Sequence, residues 1–237
     1  MSIRKSVMQS STVRLAAVLA GALLLSACGG GGGGGGASED SSSSTGVRVL
    51  HAAIDAAPVD VIVTGNPVPV ARRAVFALDN KYHALPSGPL NLQLTRTATP
   101  GTIIDSFAVT ADSQSKFSIL LYGDNSTFGL RTALLTDETP AESSSAHIRV
   151  VDGVTGAAAI SVNISSPRGD ENVEVAFGQA SEYVAVPLGP ITIRAARTAD
   201  GRTISSRSVT LESSKAYTYL VAGEVDYFVN GVLLSDN

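Results

Sequence analysis

The 237-residue chain carries 17 basic and 21 acidic side chains, a net charge of −4 with histidines neutral, and 44% of its residues are hydrophobic. This acidic balance, without clustered Lys and Arg, argues against a nucleic-acid-binding face and against electrostatic docking to anionic headgroups. A single cysteine excludes a disulfide within one molecule, and a chain with no Trp, 6 Tyr and 6 Phe has little material for the aromatic platforms of glycan binding.

In chain order, Arg4, Lys5 and Arg14 flank an apolar stretch from Leu15 to Leu25 that leads through small residues to Cys28. This is the three-part plan of a secretory signal, and its core falls short of the roughly 20 apolar residues a spanning helix needs. Leu25-Ser26-Ala27-Cys28 resembles a bacterial lipobox, in which the cysteine is lipidated and becomes the first residue of the mature protein. The resemblance implies a signal peptide over 1–27, a thioether-linked diacylglycerol and an amide-linked acyl chain on Cys28. At about 0.8 kcal/mol per buried methylene, three such chains make a durable anchor. Gly29 rather than Asp after the cysteine implies onward sorting to the outer membrane. The expected partner is therefore the membrane, reached through lipid, and the expected location is the cell envelope. The mature chain would hold 14 basic against 21 acidic residues, net −7.

Residues 28–46 begin with Cys28 and eight glycines and continue in Ser, Gly, Glu39 and Asp40, with nothing able to nucleate a core. They read as a disordered Gly/Ser tether with a reach of about 25 Å. A phosphate-binding loop would need a preceding strand and a following Lys-Ser/Thr, and neither is present.

Beyond the tether the sequence repeats. At a shift of 101, Val47-Arg48-Val49 aligns with Ile148-Arg149-Val150, Val61 with Val162, Phe76 with Phe177 and Tyr82 with Tyr183. At a shift of 100, Gly123 meets Gly223 and Phe128 meets Phe228, and at a shift of 99 Leu134-Leu135-Thr136-Asp137 closes against Leu233-Leu234-Ser235-Asp236. The reading is two domains, 47–138 and 148–237, joined by a Pro- and Ser-rich linker over 139–147. The alternative is a single intertwined sandwich built from both halves. Within each copy the period is two: Val59, Val61 and Val63 share a face, as do Leu90, Leu92 and Leu94, and in the second copy Ile160, Val162 and Ile164. Further strands are predicted near 102–110, 116–122 and 128–135, separated by Gly, Pro and Asp-Asn turn signals. Some seven short strands per copy, with no helical stripe, predict an all-β fold of two tandem immunoglobulin-like antiparallel β-sandwiches. Phe76, Phe177, Tyr82 and Tyr183 are expected in the sandwich cores.

The run from Val47 through His51, Asp55 and Val59-Asp60-Val61, with Tyr82 and Leu85-Pro86-Ser87-Gly88, resembles the opening of the bacterial extracytoplasmic domain of unknown function DUF 4397, which often occurs in tandem. The resemblance spans Val47 to Asn237. The second copy departs from it, with Asp152 at the place of His51 and Ser161 at that of Asp60. The family implies a fold and a location and brings no activity.

His51, Asp55 and Asp60 are the sharpest candidates for chemistry, as ligands of a metal or as an acid–base pair. The competing structural reading has Asp55 capping a turn and Asp60 facing Arg48 across the sheet. Arg168-Gly169-Asp170 resembles an integrin-binding loop, and Asp124-Asn125-Ser126 reads as a turn because it lacks the glycine and distal glutamate of a calcium loop. No Gly-x-Ser-x-Gly elbow is present, and no cofactor is expected. The leading expectation is a non-enzymatic envelope lipoprotein displaying two modules to an envelope or extracellular protein partner. The alternatives are a metal-dependent binder or enzyme centred on His51, Asp55 and Asp60, and a solute-binding accessory protein with an apolar pocket between the domains.

Overall fold

The computed structural model describes residues 45–78, 81–137 and 144–237. The expected signal peptide, Cys28, the tether up to residue 44 and most of the expected linker lie outside the described residues; Gly46, the last residue expected in the tether, already opens the first strand. Among the described residues there is no helix long and apolar enough to cross a membrane.

The first repeat contains β1 (Gly46–His51), β2 (Val59–Val63), β3 (Ala71–Ala74), β4 (His83–Ala84), β5 (Gly88–Arg96), β6 (Ile103–Ala111), β7 (Lys116–Gly123) and β8 (Leu130–Asp137). The second contains β9 (Ala146–Thr155), β10 (Ala159–Ser166), β11 (Gly169–Ala176), β12 (Val184–Val186), β13 (Gly189–Arg197), β14 (Thr203–Leu211), β15 (Ala216–Glu224) and β16 (Phe228–Ser235). They form four sheets with strand orders β4-β1-β7-β8, β3-β2-β5-β6, β12-β9-β15-β16 and β11-β10-β13-β14. Each sheet draws on one repeat, so each repeat closes its own β-sandwich. β9 opens at Ala146, inside the span expected for the linker.

Period-two patterning places the predicted residues as expected. Val59, Val61 and Val63 are buried while Asp60 and Ile62 are less so, and Ile160, Val162 and Ile164 are fully buried in the second core. One pairing in each repeat departs from a wholly antiparallel sandwich. β1 runs parallel to β7, from Gly46 opposite Lys116 to His51 opposite Leu121, and β9 runs parallel to β15.

These central strands are buried on both faces, which explains their near-continuous apolar runs, Ile119-Leu120-Leu121-Tyr122 and Tyr219-Leu220-Val221-Ala222. Val47, Val49, Ile119 and Leu121 turn into the first sandwich core, and Ile148, Val150, Tyr219 and Val221 into the second. The opposite faces of the same strands make a third apolar cluster of Leu50, Ala52, Leu120, Tyr122, Val151, Leu220, Ala222 and Leu234, drawn from both repeats. The inner sheets β4-β1-β7-β8 and β12-β9-β15-β16 therefore pack on each other, and the described residues form one compact unit. The molecule is a four-layer stack of sheets, with β3-β2-β5-β6 and β11-β10-β13-β14 on the outside.

Candidate functional site

The inner faces also bury charge. Arg48 and Arg149 occupy equivalent positions on β1 and β9, flanked by residues that fill the sandwich cores, so strand alternation sends both guanidinium groups into the layer between the repeats. Their bonding is reciprocal. Arg48 Nε donates to Ser118 Oγ of its own repeat at 2.7 Å, and its two terminal nitrogens reach the other repeat, at the Ser235 carbonyl (3.2 Å) and Asp236 Oδ1 (2.5 Å). Arg149 Nε donates to Thr218 Oγ1 at 2.9 Å, and its terminal nitrogens reach the Thr136 carbonyl (3.1 Å) and Asp137. Each aspartate also receives a tyrosine hydroxyl from its own repeat, Tyr82 on Asp137 and Tyr183 on Asp236 at 2.7 Å. The tyrosine rings lie under the cations, Arg48 4.6 Å from the Tyr82 centroid and Arg149 5.1 Å from that of Tyr183.

Two arginines and two aspartates balance in charge, and the carboxylates receive hydroxyl donors as well as cations, which is the condition for holding ions away from water. Burial pulls the Arg48 guanidinium down, but the Asp236 and Asp137 carboxylates together more than offset it, so Arg48 stays firmly protonated. Burial is also the main reason that the Tyr82 and Tyr183 hydroxyls are pushed far up and remain proton donors. The arrangement is a closed lock that holds the repeats together without exposing a reactive atom.

Phe76 and Phe177 belong to this layer too, and not to the sandwich cores that the sequence pattern suggests; the same holds for Tyr82 and Tyr183. Phe177 packs edge-on against Tyr122 with centroids 5.0 Å apart, and Phe76 against Phe228 of the other repeat at 6.2 Å.

The three sequence candidates do not converge. His51, at the end of β1, is 1% exposed and lies on the core-facing side, its Nε2 3.4 Å from the Ala57 carbonyl and its Nδ1 buried without a hydrogen-bond partner. Burial lowers its pKa. The Asp55 carboxylate accepts from the Asn125 backbone N at 3.0 Å, and Asn125 Nδ2 donates back to the Asp55 carbonyl, so Asp55 ties its loop to the β7–β8 connection instead of capping its own turn. Asp60 accepts from the Arg73 backbone N and from Thr97 Oγ1, both at 2.7 Å. It does not face Arg48, because that side chain leaves on the other side of its strand. Among the described residues no group of three or more His, Cys, Asp or Glu side chains comes together as a set able to hold a metal. Asp124 Oδ1 accepts the backbone N–H groups of Ser126, Thr127 and Phe128 at 2.6–2.9 Å, so Asp124-Asn125-Ser126 is a turn.

The Asp152 carboxyl, at the repeat position of His51, is fully buried. Its Oδ1 accepts from the Val154 N–H at 2.9 Å, its Oδ2 has no hydrogen-bond partner, and burial raises its pKa to about 7. Of Arg168-Gly169-Asp170, Arg168 lies in the β10–β11 turn while Gly169 and Asp170 open β11, with Asp170 accepting from Ser165 at 2.8 Å. An open groove of about 590 Å³ crosses the ends of β10, β13 and β14 beside Ser165, Pro190 and Thr210, and a smaller one of about 190 Å³ lies near Arg202 and Tyr227. Both belong to the second repeat, and neither lies between the repeats.

Arg48, Arg149, Asp137 and Asp236 escaped selection as site residues from the sequence, although all four mark the repeat. The available signal was an arginine between two β-branched residues at the same register of both copies, paired with a terminal Asp after Leu-Leu-Thr or Leu-Leu-Ser.

No curated protein matches the chain. Among solved structures it is similar to the family 26 carbohydrate-binding module CBMbc of Eubacterium rectale Amy13K, crystallised in complex with maltoheptaose, at 10% identity and a TM-score of 0.25, covering 78% of this chain and 96% of that one. A likeness at that score bears on neither ligand nor function. The model of DUF4397, a domain of unknown function, matches residues 45–163 and again 146–237, and the chain therefore belongs to that family, as two tandem copies.

Proposed function

We propose that this chain is an envelope lipoprotein, anchored at the outer membrane through acylated Cys28, that presents its two β-sandwiches as one rigid, non-catalytic body for binding an envelope or extracellular partner. The observation that carries this reading is the reciprocal Arg48–Asp236 and Arg149–Asp137 lock. These fully buried charged pairs are committed to joining the repeats, which leaves the outer sheets and the turns as the surface available to a partner. Lipidation follows from the lipobox, and the Gly/Ser tether supplies clearance from the bilayer.

Two measurements test the reading. Replacing Cys28 with Ala is expected to move the protein out of the membrane fraction and to remove the acyl mass; unchanged fractionation with no loss of mass would sink the anchor. Photo-crosslinkers placed at Leu78 and Tyr227, which are 77% and 78% exposed, are expected to trap a partner in living cells. Turnover of a substrate by the purified body would refute the non-catalytic assignment.

A further inference from the structure

Each inner face carries both halves of the same lock: an arginine, a tyrosine, a hydroxyl and an aspartate. On those groups alone, a first-repeat face would pair with another first-repeat face as readily as with a second-repeat face. Two apolar positions break that equivalence. Ala52 meets Gly153, its own counterpart in the other repeat, so this couple sits where the two faces exchange roles, and a Cβ added at Gly153 would overlap the Cβ of Ala52. Tyr122 lies over Gly178, where an added Cβ would overlap the tyrosine ring. The counterparts of that second couple are Ala222 and Ala77, so at the related spot neither the large ring nor the glycine recurs. In both couples the bulk is on the first repeat and the glycine on the second.

We propose that the inner faces form a heterospecific docking pair, in which the first repeat's face, carrying Ala52 and Tyr122, accepts only the second repeat's face, carrying Gly153 and Gly178. Two first-repeat faces would press Ala52 against Ala52 and each Tyr122 against an Ala77. Two second-repeat faces would leave voids at the same places, losing the contacts that close packing supplies. A second copy of the chain is therefore a partner for this surface only with the repeats exchanged, first to second and second to first. Size complementarity supplies a specificity that the reciprocal Arg–Asp pairs cannot.

The test is a pair of double-mutant cycles in the full mature chain, read by thermal unfolding. Gly153 is outside the left-handed region, so Gly153→Ala adds only a clash, and it is expected to lower Tm by roughly 5–10 °C. Ala52→Gly in the same chain moves the methyl to the other side of the couple and is expected to recover most of that loss. A Gly153→Ala protein as stable as the parent, or a double variant with no recovery, overturns the proposal. In the second cycle Gly178 has φ +77°, so Gly178→Ala carries a backbone cost as well, but the equivalent Ala77 already tolerates φ +53°. Gly178→Ala is expected to cost more Tm in the parent than in a Tyr122→Ala background, and equal costs in the two backgrounds would contradict the assignment.

Discussion

Arg48 and Arg149 meet Asp236 and Asp137 through side chains no more than 3% exposed, whereas Arg197 and Arg202 meet Asp200 and Asp226 on the second repeat through side chains 21–65% exposed. The residue types are the same. In the buried set, each ion has given up water and depends on its partner, so removing one member strands the others in a low dielectric. In the exposed set, water and salt replace any lost partner, and the pairing contributes little. The position of the arginine in its strand decides between the two: on β1 and β9 the second face of the sheet is covered, and on β13 the charged end of the strand is open to solvent.

The contrast is broken most directly at Asp137. Asp137→Ala deprives Arg149 of its paired carboxylate, Arg48 of the farther of its two, and Tyr82 of its acceptor, and should cost about 3–5 kcal/mol of stability, read by urea unfolding and little relieved by salt. A loss below about 1 kcal/mol would place this pair with surface ion pairs.

A smaller effect separates the two buried positions that the repeats use differently, His51 and Asp152. Burial raises the Asp152 pKa to about 7, so the native state keeps a proton that the unfolded chain releases near pH 4. Stability from this group is full below pH 4, falls as pH rises toward 7, and falls no further above it. Asp152→Asn should therefore be close to neutral at pH 4 and stabilising by a few kcal/mol at pH 8, since each pH unit separating the native and unfolded pKa is worth about 1.4 kcal/mol. Buried His51 has the opposite sign. Its lowered pKa makes the unfolded chain bind the proton first, so its contribution is lost as pH falls below about 6.5. Stability curves of His51→Gln and Asp152→Asn should diverge from the parent at opposite ends of the pH range.

The smallest expected effect is at the surface. Arg202→Ala removes the 2.6 Å pair with Asp226 and should leave Tm nearly unchanged at physiological salt. A drop comparable to that of Asp137→Ala would erase the distinction between the two clusters.

The strands and their facing were legible in the sequence because period-two alternation reports directly on which side of a sheet is covered. Val59-Asp60-Val61 and Ile160-Ser161-Val162 carry that signal plainly. The β1–β7 and β9–β15 faces were harder to read, because a strand covered on both sides loses alternation, and Ile119-Leu120-Leu121-Tyr122 says buried without saying against what. The lock was hidden for a second reason. Arg48 and Asp236 are 188 residues apart, and reading them as a pair requires knowing that two sheets stack, which no local pattern encodes. His51, Asp55 and Asp60 drew attention by proximity in sequence, and strand geometry sends them to three different sets of neighbours.

Whether the two sandwiches behave as one body is tested most directly by calorimetry of the full chain. The buried lock and the shared apolar layer predict one unfolding transition with calorimetric and van't Hoff enthalpies equal, in the parent protein at neutral pH. Two separable transitions, one per repeat, would contradict it.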